Sequence, residues 1–323
     1  MSAEGTALAR GAARARRGTL PDRAFHALTL LFALLVLLIL SGVVFALISG
    51  ALPALGEFGF GFLTTQAWNP VTEKFGALAP IYGTLVTSAI AMLIAIPVAF
   101  GVALFITELS PNWLKRPLAT MIELLAAIPS IIYGIWGLFV LAPFVQQYIQ
   151  PALIETLGQI PGIGLLFAGP PLGIGVLTAG FILAIMVLPF ISSIMREVFE
   201  TVPAVLKEST YALGATTTEV VWQVVLPYTR LGVVGGILLG LGRALGETMA
   251  VTFVIGNSHR IHASILQPGT TISAALANEF TEAVGDLYLS SLIALGLILF
   301  AITFIVLALA KLLLLRLDRQ AGR

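Results

Sequence analysis

Two residues able to bind an ion sit four apart in one of the most apolar parts of this chain: Arg243 and Glu247, within GRALGETMAV at 242–251. A guanidinium presents a planar fork of donors to two oxygens at once, which suits an oxyanion better than a neutral solute. At the centre of a membrane-spanning helix such a charge costs about 2.5–3.5 kcal/mol, and it almost always faces a bundle interior or a wet cavity. Helical phase agrees with that placement. Gly232, Gly236 and Gly240 recur every four residues, and Arg243 and Glu247 continue their face within roughly 60° at 100° per residue. Small residues at that spacing allow close helix packing, so both charges are predicted on the packed face. The pair has two readings: a self-satisfied i,i+4 ion pair that holds the helix, or a cation lining an anion pathway with Glu247 orienting it and moderating its field. Thr248 and Thr252 add hydroxyls on nearby turns.

Other chemistries are excluded by residue type. The chain has no cysteine, so disulfides and thiolate catalysis are out, and His259 and His262 lack metal-ligand spacing and read as surface residues. No G-x-x-x-x-G-K-[ST] sequence occurs. The nearest glycine pattern, GLGRALG at 240–246, lies inside an apolar run with no strand before it and is not a nucleotide loop. The chain is therefore not expected to be an enzyme or to hold a metal or cofactor; ATP, if used, belongs to a separate subunit.

The elements that must position these residues are membrane helices. Hydrophobic residues make up 58% of the 323 positions and charged ones 10%, far below the roughly 25% of soluble domains. Apolar runs at about 25–50, 80–107, 119–145, 172–195, 231–256 and 287–315 are each long enough to span, giving an all-α polytopic membrane protein of six helices. Pro97, Pro129 and Pro189 fall inside these runs, where each can kink a helix or free a carbonyl. The N-terminal tail, the 108–118 and 196–230 loops and the C-terminal tail hold 14 of the 17 Lys and Arg residues, so the positive-inside bias places both termini and the 196–230 loop in the cytoplasm. The basic tail, residues 1–23, reads as a retained cytosolic extension, with a transmembrane domain over 24–318 and a cytosolic end at 319–323.

The longest cytosolic segment carries its own punctuation. In TVPAVLKESTYALGATTTEVVWQVVLPYTR at 201–230, Thr201 is predicted to cap a helix with Pro203 in its first turn. Gly214 ends that helix, and Thr216 with Glu219 forms a capping box for a second one that stops at Pro227. A compact helical pair with no domain of its own reads as a docking element.

These residues resemble the EAA loop of ABC importer permeases: Glu208, Gly214, Leu226 and Pro227 match at the family spacing, while Ser209 and Thr210 replace two alanines and Val224 replaces an isoleucine. The resemblance implies a type I permease fold in which the 201–227 loop docks a separate ATPase. ELLAAIPSIIYGIWG at 123–137, GRALGETMAVTFVIGN at 242–257 and PGTTISAALANEF at 268–280 are in addition similar to phosphate-specific permeases of the PstC type, from about residue 24 onward. That likeness implies a permease of the bacterial cytoplasmic membrane that imports phosphate by alternating access, with Arg243 and Glu247 along its path; the Thr248 hydroxyl, one residue on, is a further candidate there. The partners it implies are a related permease (PstA type), two ATP-binding subunits (PstB type) and an extracytoplasmic phosphate-binding protein (PstS type). Permeation of another oxyanion, sulfate or molybdate, shares the same loop logic. An ATP-independent secondary transporter would need a coupling-ion site and usually an internal repeat, and no second copy of GRALGE is found. A non-transporting membrane scaffold would not need Arg243 at all.

Overall fold

The computed structural model describes residues 20–321, so the basic tail lies almost wholly outside the described residues. Among them, six helices are long and apolar enough to cross a membrane: Asp22–Phe58, Leu78–Leu109, Ser130–Gln159, Val176–Glu200, Thr217–Leu245 and Asp286–Leu312. In chain order the elements are α1 (Leu20–Phe58), α2 (Leu78–Leu104, closed by a π-turn at Phe105–Leu109), α3 (Asn112–Ala126) and α4 (Ser130–Gln159). There follow α5 (Val176–Glu200), α6 (Ala204–Ala212), α7 (Thr217–Leu245), α8 (Met249–Thr252), α9 (Ile272–Glu279) and α10 (Asp286–Ala321). The chain divides into two compact units at Gly50/Ala51. In the first, residues 20–50 are helix with large apolar side chains such as Phe25, Leu38 and Phe45 exposed.

The second unit is built on α2 and α5. Ala91, Ala95, Ala99 and Ala103 repeat every four residues along α2 and are fully buried, as are Ile182, Val187, Ile191 and Met195 on α5. Lipid tails are as apolar as these side chains, so helix association here rests on close packing, and small residues let the backbones approach. At Gly180 of α5 an added Cβ would sit 2.5 Å from Ile90 of α2. A smaller cluster joins the end of α1 and the first connector to α10 through Ala54, Phe62, Phe75, Leu292 and Leu295.

Two predicted spans have different bounds. The run at 119–145 is broken: α3 ends at Ala126, and Pro129 precedes the first residue of α4. Proline clashes with a helical residue before it, so Ile128 and Pro129 form a corner between the two helices. Beyond the corner, α4 continues to Gln159 through π-turns at Gly137–Leu141 and Val145–Ile149, absorbing part of the expected connector. The run expected at 231–256 is shifted instead, covering Thr217–Leu245. Pro227 does not stop it. The ring clashes with the carbonyl four residues back, at Gln223, and the π-turn over Val221–Val225 opens the helix there. Pro97 and Pro189 both remain inside helices.

Candidate functional site

Arg243 lies in the last turn of α7, where a cation meets the negative end of the helix dipole. It is not at mid-span as expected. Gly246 ends α7, and the chain restarts as α8 after Glu247 and Thr248. Glu247 therefore sits in the interruption, where its Oε1 accepts the Ala250 N–H at 3.2 Å and caps α8. The i,i+4 ion pair is absent among the described residues, because its second member has left the helix. The Arg243 guanidinium instead lies 5.7 Å from the centre of the Phe190 ring on α5, within cation–π range. Its side chain is exposed in this single chain, while Glu247 and Thr248 are half-buried. Thr248 Oγ1 donates to the Gly246 carbonyl at 3.4 Å, and Thr252 Oγ1 to the Thr248 carbonyl at 2.7 Å.

The glycine face behaves as its spacing predicts. A Cβ added at Gly232, Gly236 or Gly240 would lie 2.5–2.9 Å from Val198, Ile194 and Ile191 of α5 respectively. Ala244, buried, continues this face at the same spacing, and Arg243 is exposed beside it rather than on the packed face as expected. The interruption between α7 and α8 is backed by α4: a Cβ on Gly134 would lie 2.9 Å from the Met249 carbonyl oxygen. Tyr133 beside it is buried, its hydroxyl donating to the Leu125 carbonyl at 2.9 Å across the corner between α3 and α4.

The loop read as a docking element is a helical pair, α6 followed by the start of α7. Gly214 has φ +88°, the left-handed conformation that ends α6. The capping box is complete: the Thr216 N–H donates to Glu219 Oε2 at 2.7 Å, and the Glu219 N–H to Thr216 Oγ1 at 3.4 Å. Thr201 differs from expectation, because it closes α5 with its hydroxyl on the Val198 carbonyl at 2.7 Å, leaving Pro203 to precede α6. No residue of α6 is buried. Glu208 is exposed, and beside Gly214 the apolar Leu213 is 90% exposed. Leu226 and Pro227 stand apart from this tip, within α7, where Leu226 packs against the main core.

Side chains distant in sequence add contacts that spacing could not reveal. Lys207 Nζ of α6 meets Glu108 Oε1, at the end of α2, at 2.6 Å. Arg196 of α5 bridges Glu123 of α3 at 2.8 Å and Glu200 at 3.0 Å. At the opposite end of the bundle, Glu279 accepts from Trp68 Nε1 and the Tyr288 hydroxyl, both at 2.6 Å, and from His259 Nε2 at 2.7 Å. His259 also stacks on Trp68, with ring centres 5.0 Å apart, so it is a half-buried structural residue rather than a surface one. Burial pushes the Glu279 carboxyl up, but the hydrogen bonds from His259, Tyr288 and Trp68 pull harder the other way and hold it below its usual value. Among the described residues, no group of three or more His, Asp or Glu side chains forms a metal site.

Residues 95–319 match the family of binding-protein-dependent transport system inner membrane components. The chain belongs to that family. As a member it is a multi-pass permease of the inner membrane, working with an ATPase and a binding protein as separate components; it is not itself an enzyme. A relative from Mesorhizobium japonicum, named phosphate transport system permease protein PstC, is 64% identical over 96% of this chain and 95% of its own. One of the same name from Pasteurella multocida is 56% identical over 93% of each. Methanocaldococcus jannaschii has a protein named probable phosphate transport system permease PstC that is 42% identical over 82% of this chain and 86% of its own. Among solved structures, a bacterial alginate ABC transporter in complex with its alginate-bound periplasmic protein matches with a TM-score of 0.57 at 16% identity, over 89% of this permease and 94% of that chain. The MetNI methionine ABC transporter, in an inward-facing form, gives 0.54 at 16% identity over 76% and 95%. At such identities these two establish the ABC importer permease fold alone.

Proposed function

We propose that this permease is the phosphate-translocating membrane subunit of an ATP-driven importer, with Arg243 as the anion contact. The observation that carries the proposal is the state of Arg243: exposed at the end of α7, against an aromatic face, with no carboxylate in salt-bridge reach among the described residues. A guanidinium whose fork is not occupied by a carboxylate has its donors available for an oxyanion. The naming of relatives 64% and 56% identical over nearly the whole chain supports phosphate as that anion over sulfate or molybdate. Glu247 and Thr248 shape the interruption beside Arg243, the carboxylate by capping α8 and the threonine by closing the turn.

Coupling enters at the other end of α7. The exposed tip at Glu208, Leu213 and Gly214 fits a groove on an ATP-binding subunit, and Leu226 and Pro227 join that tip to the spanning helix. Closure of two such subunits on ATP would move α6, rock the helices toward an outward-facing state and expose Arg243 to phosphate delivered by the binding protein. Hydrolysis would return the inward-facing state. The complex in this reading holds a second, related permease (PstA type), two ATPase copies (PstB type) and a phosphate-binding protein (PstS type). Both termini and the 201–227 loop face the cytoplasm.

The test is uptake of labelled phosphate or sulfate into liposomes holding the whole complex. Wild-type protein should import phosphate in an ATP-dependent way, and Arg243→Ala should abolish import while the complex still assembles. Undiminished phosphate uptake by Arg243→Ala would remove the arginine from the pathway. Sulfate preferred over phosphate would replace the substrate, and uptake by the permease alone, without ATP, would replace the class.

A further inference from the structure

The docking helix α6 is held to the membrane bundle in an unusual way. None of its residues is buried, and Ser209 and Thr210 spend their hydroxyls on the Leu206 carbonyl within the helix. Among the described residues, the side-chain hydrogen bond that leaves α6 for another element is that of Lys207, whose ammonium reaches Glu108 Oε1 at 2.6 Å. Both ends of this pair are sheltered: the Glu108 side chain is 6% exposed and that of Lys207 19%. Removing one partner of a sheltered pair leaves a poorly solvated charge, so loss of either residue, or separation of the two, costs more than it would for a surface pair.

Glu108 is well placed to receive a load. It lies in the π-turn Phe105–Leu109 that closes α2, the helix packed along α5 at the centre of the bundle. That turn is closed by its own backbone and braced from a neighbouring helix. The Ser110 N–H donates to the Phe105 carbonyl at 2.7 Å, and Lys115 Nζ of α3 donates to the Thr107 carbonyl at 2.7 Å. A displacement of Lys207 thus meets a braced segment rather than a free loop end. The covalent routes from α6 run back into α5 through residues 201–203 and on into α7; the ion pair adds a route into α2 that the chain itself does not supply.

We propose that Lys207 and Glu108 are positioning residues of the transport cycle, an ionic tether that carries movement of α6 into α2 and stays closed as the complex changes state. The proposal rests on the reading of α6 as the ATPase-docking helix. Without the tether, α6 can follow the ATPase while α2 lags behind, so hydrolysis and transport come apart.

The test uses the assembled complex in liposomes, with phosphate uptake and ATP hydrolysis measured on the same vesicles. Lys207→Met and Glu108→Gln should each retain the ATPase subunits on purification, with phosphate moved per ATP falling roughly tenfold. The exchanged double variant Lys207→Glu/Glu108→Lys should recover most of that ratio. Because the chain has no cysteine, a second measurement avoids dependence on the exchanged charges. In Lys207→Cys/Glu108→Cys, a short dithiol-reactive bridge between the two positions should restore coupling that the unbridged protein lacks. Single variants with a wild-type ratio, or a bridge that blocks transport, would overturn the tether. Failure of the underlying docking reading looks different: Leu213→Asp at the exposed tip would then leave ATPase association unchanged.

Discussion

Glu279 shows how much one side chain can organise. Its two oxygens accept hydrogen bonds from Trp68, His259 and Tyr288, joining the first connector, the segment after α8, α9 and α10. A carboxylate only accepts, so His259 Nε2 carries the shared proton. In Glu279→Gln the amide turns two donors of its own toward those donors, and about 1–3 kcal/mol of stability should be lost, read as a lower thermal midpoint. The sign of the pH dependence follows from the carboxyl's being held below its ordinary value of 4.5. Its contribution is complete above that value and is lost as pH falls through the lower folded one, so the wild-type midpoint should drop on acidification and the Gln variant should show a flatter profile. None of this was legible in the sequence, where Trp68 and Glu279 are 211 positions apart. Arg243 was legible as an unusual charge, but its partner was not: Glu247 has the right spacing for a helical pair, and the helix ends between them.

At the scale of elements, α7 carries two kinds of glycine. Gly240 is pressed on Ile191, whose side chain would lie 2.5 Å from an added Cβ, whereas at Gly235 nothing lies within 4 Å. The same substitution should therefore act in opposite directions. Gly240→Ala should overpack the contact with α5 and lower the thermal midpoint, at a cost of about 1–3 kcal/mol. Gly235→Ala should hold or raise it, since alanine is the better helix former by about 1 kcal/mol. Equal effects of the two would show that α7 does not pack on α5 through this face. Four-residue spacing made that face visible in advance, as capping chemistry did for Gly214, Thr216 and Glu219. Helix ends were less visible. Proline at position 227 was read as a stop because a π-turn, which depends on how the flanking turns pack, leaves no compositional mark.

For the whole molecule, the distribution of Lys and Arg predicts an orientation that labelling checks directly. If the 201–227 loop faces the cytoplasm, Leu213→Cys, 90% exposed at one end of the bundle, should be labelled by a membrane-impermeant thiol reagent in inside-out vesicles alone, in permease produced without the ATPase subunits so that the tip is uncovered. Val284→Cys, 88% exposed near the Glu279 clasp at the other end, should be labelled in right-side-out cells alone. The reverse pattern would invert the proposed topology. The class of the molecule, its helical composition, the capped helical pair after α5 and the packed glycine face were determined by the sequence alone, because each depends on hydropathy or on spacing within a single turn or helix. Where the helices break, which charges meet, and that Arg243 faces Phe190 rather than Glu247 were decided only by tertiary structure. Those outcomes depend on which distant backbone and side-chain groups compete for the same donors, carbonyls and space, and local spacing carries no record of that competition.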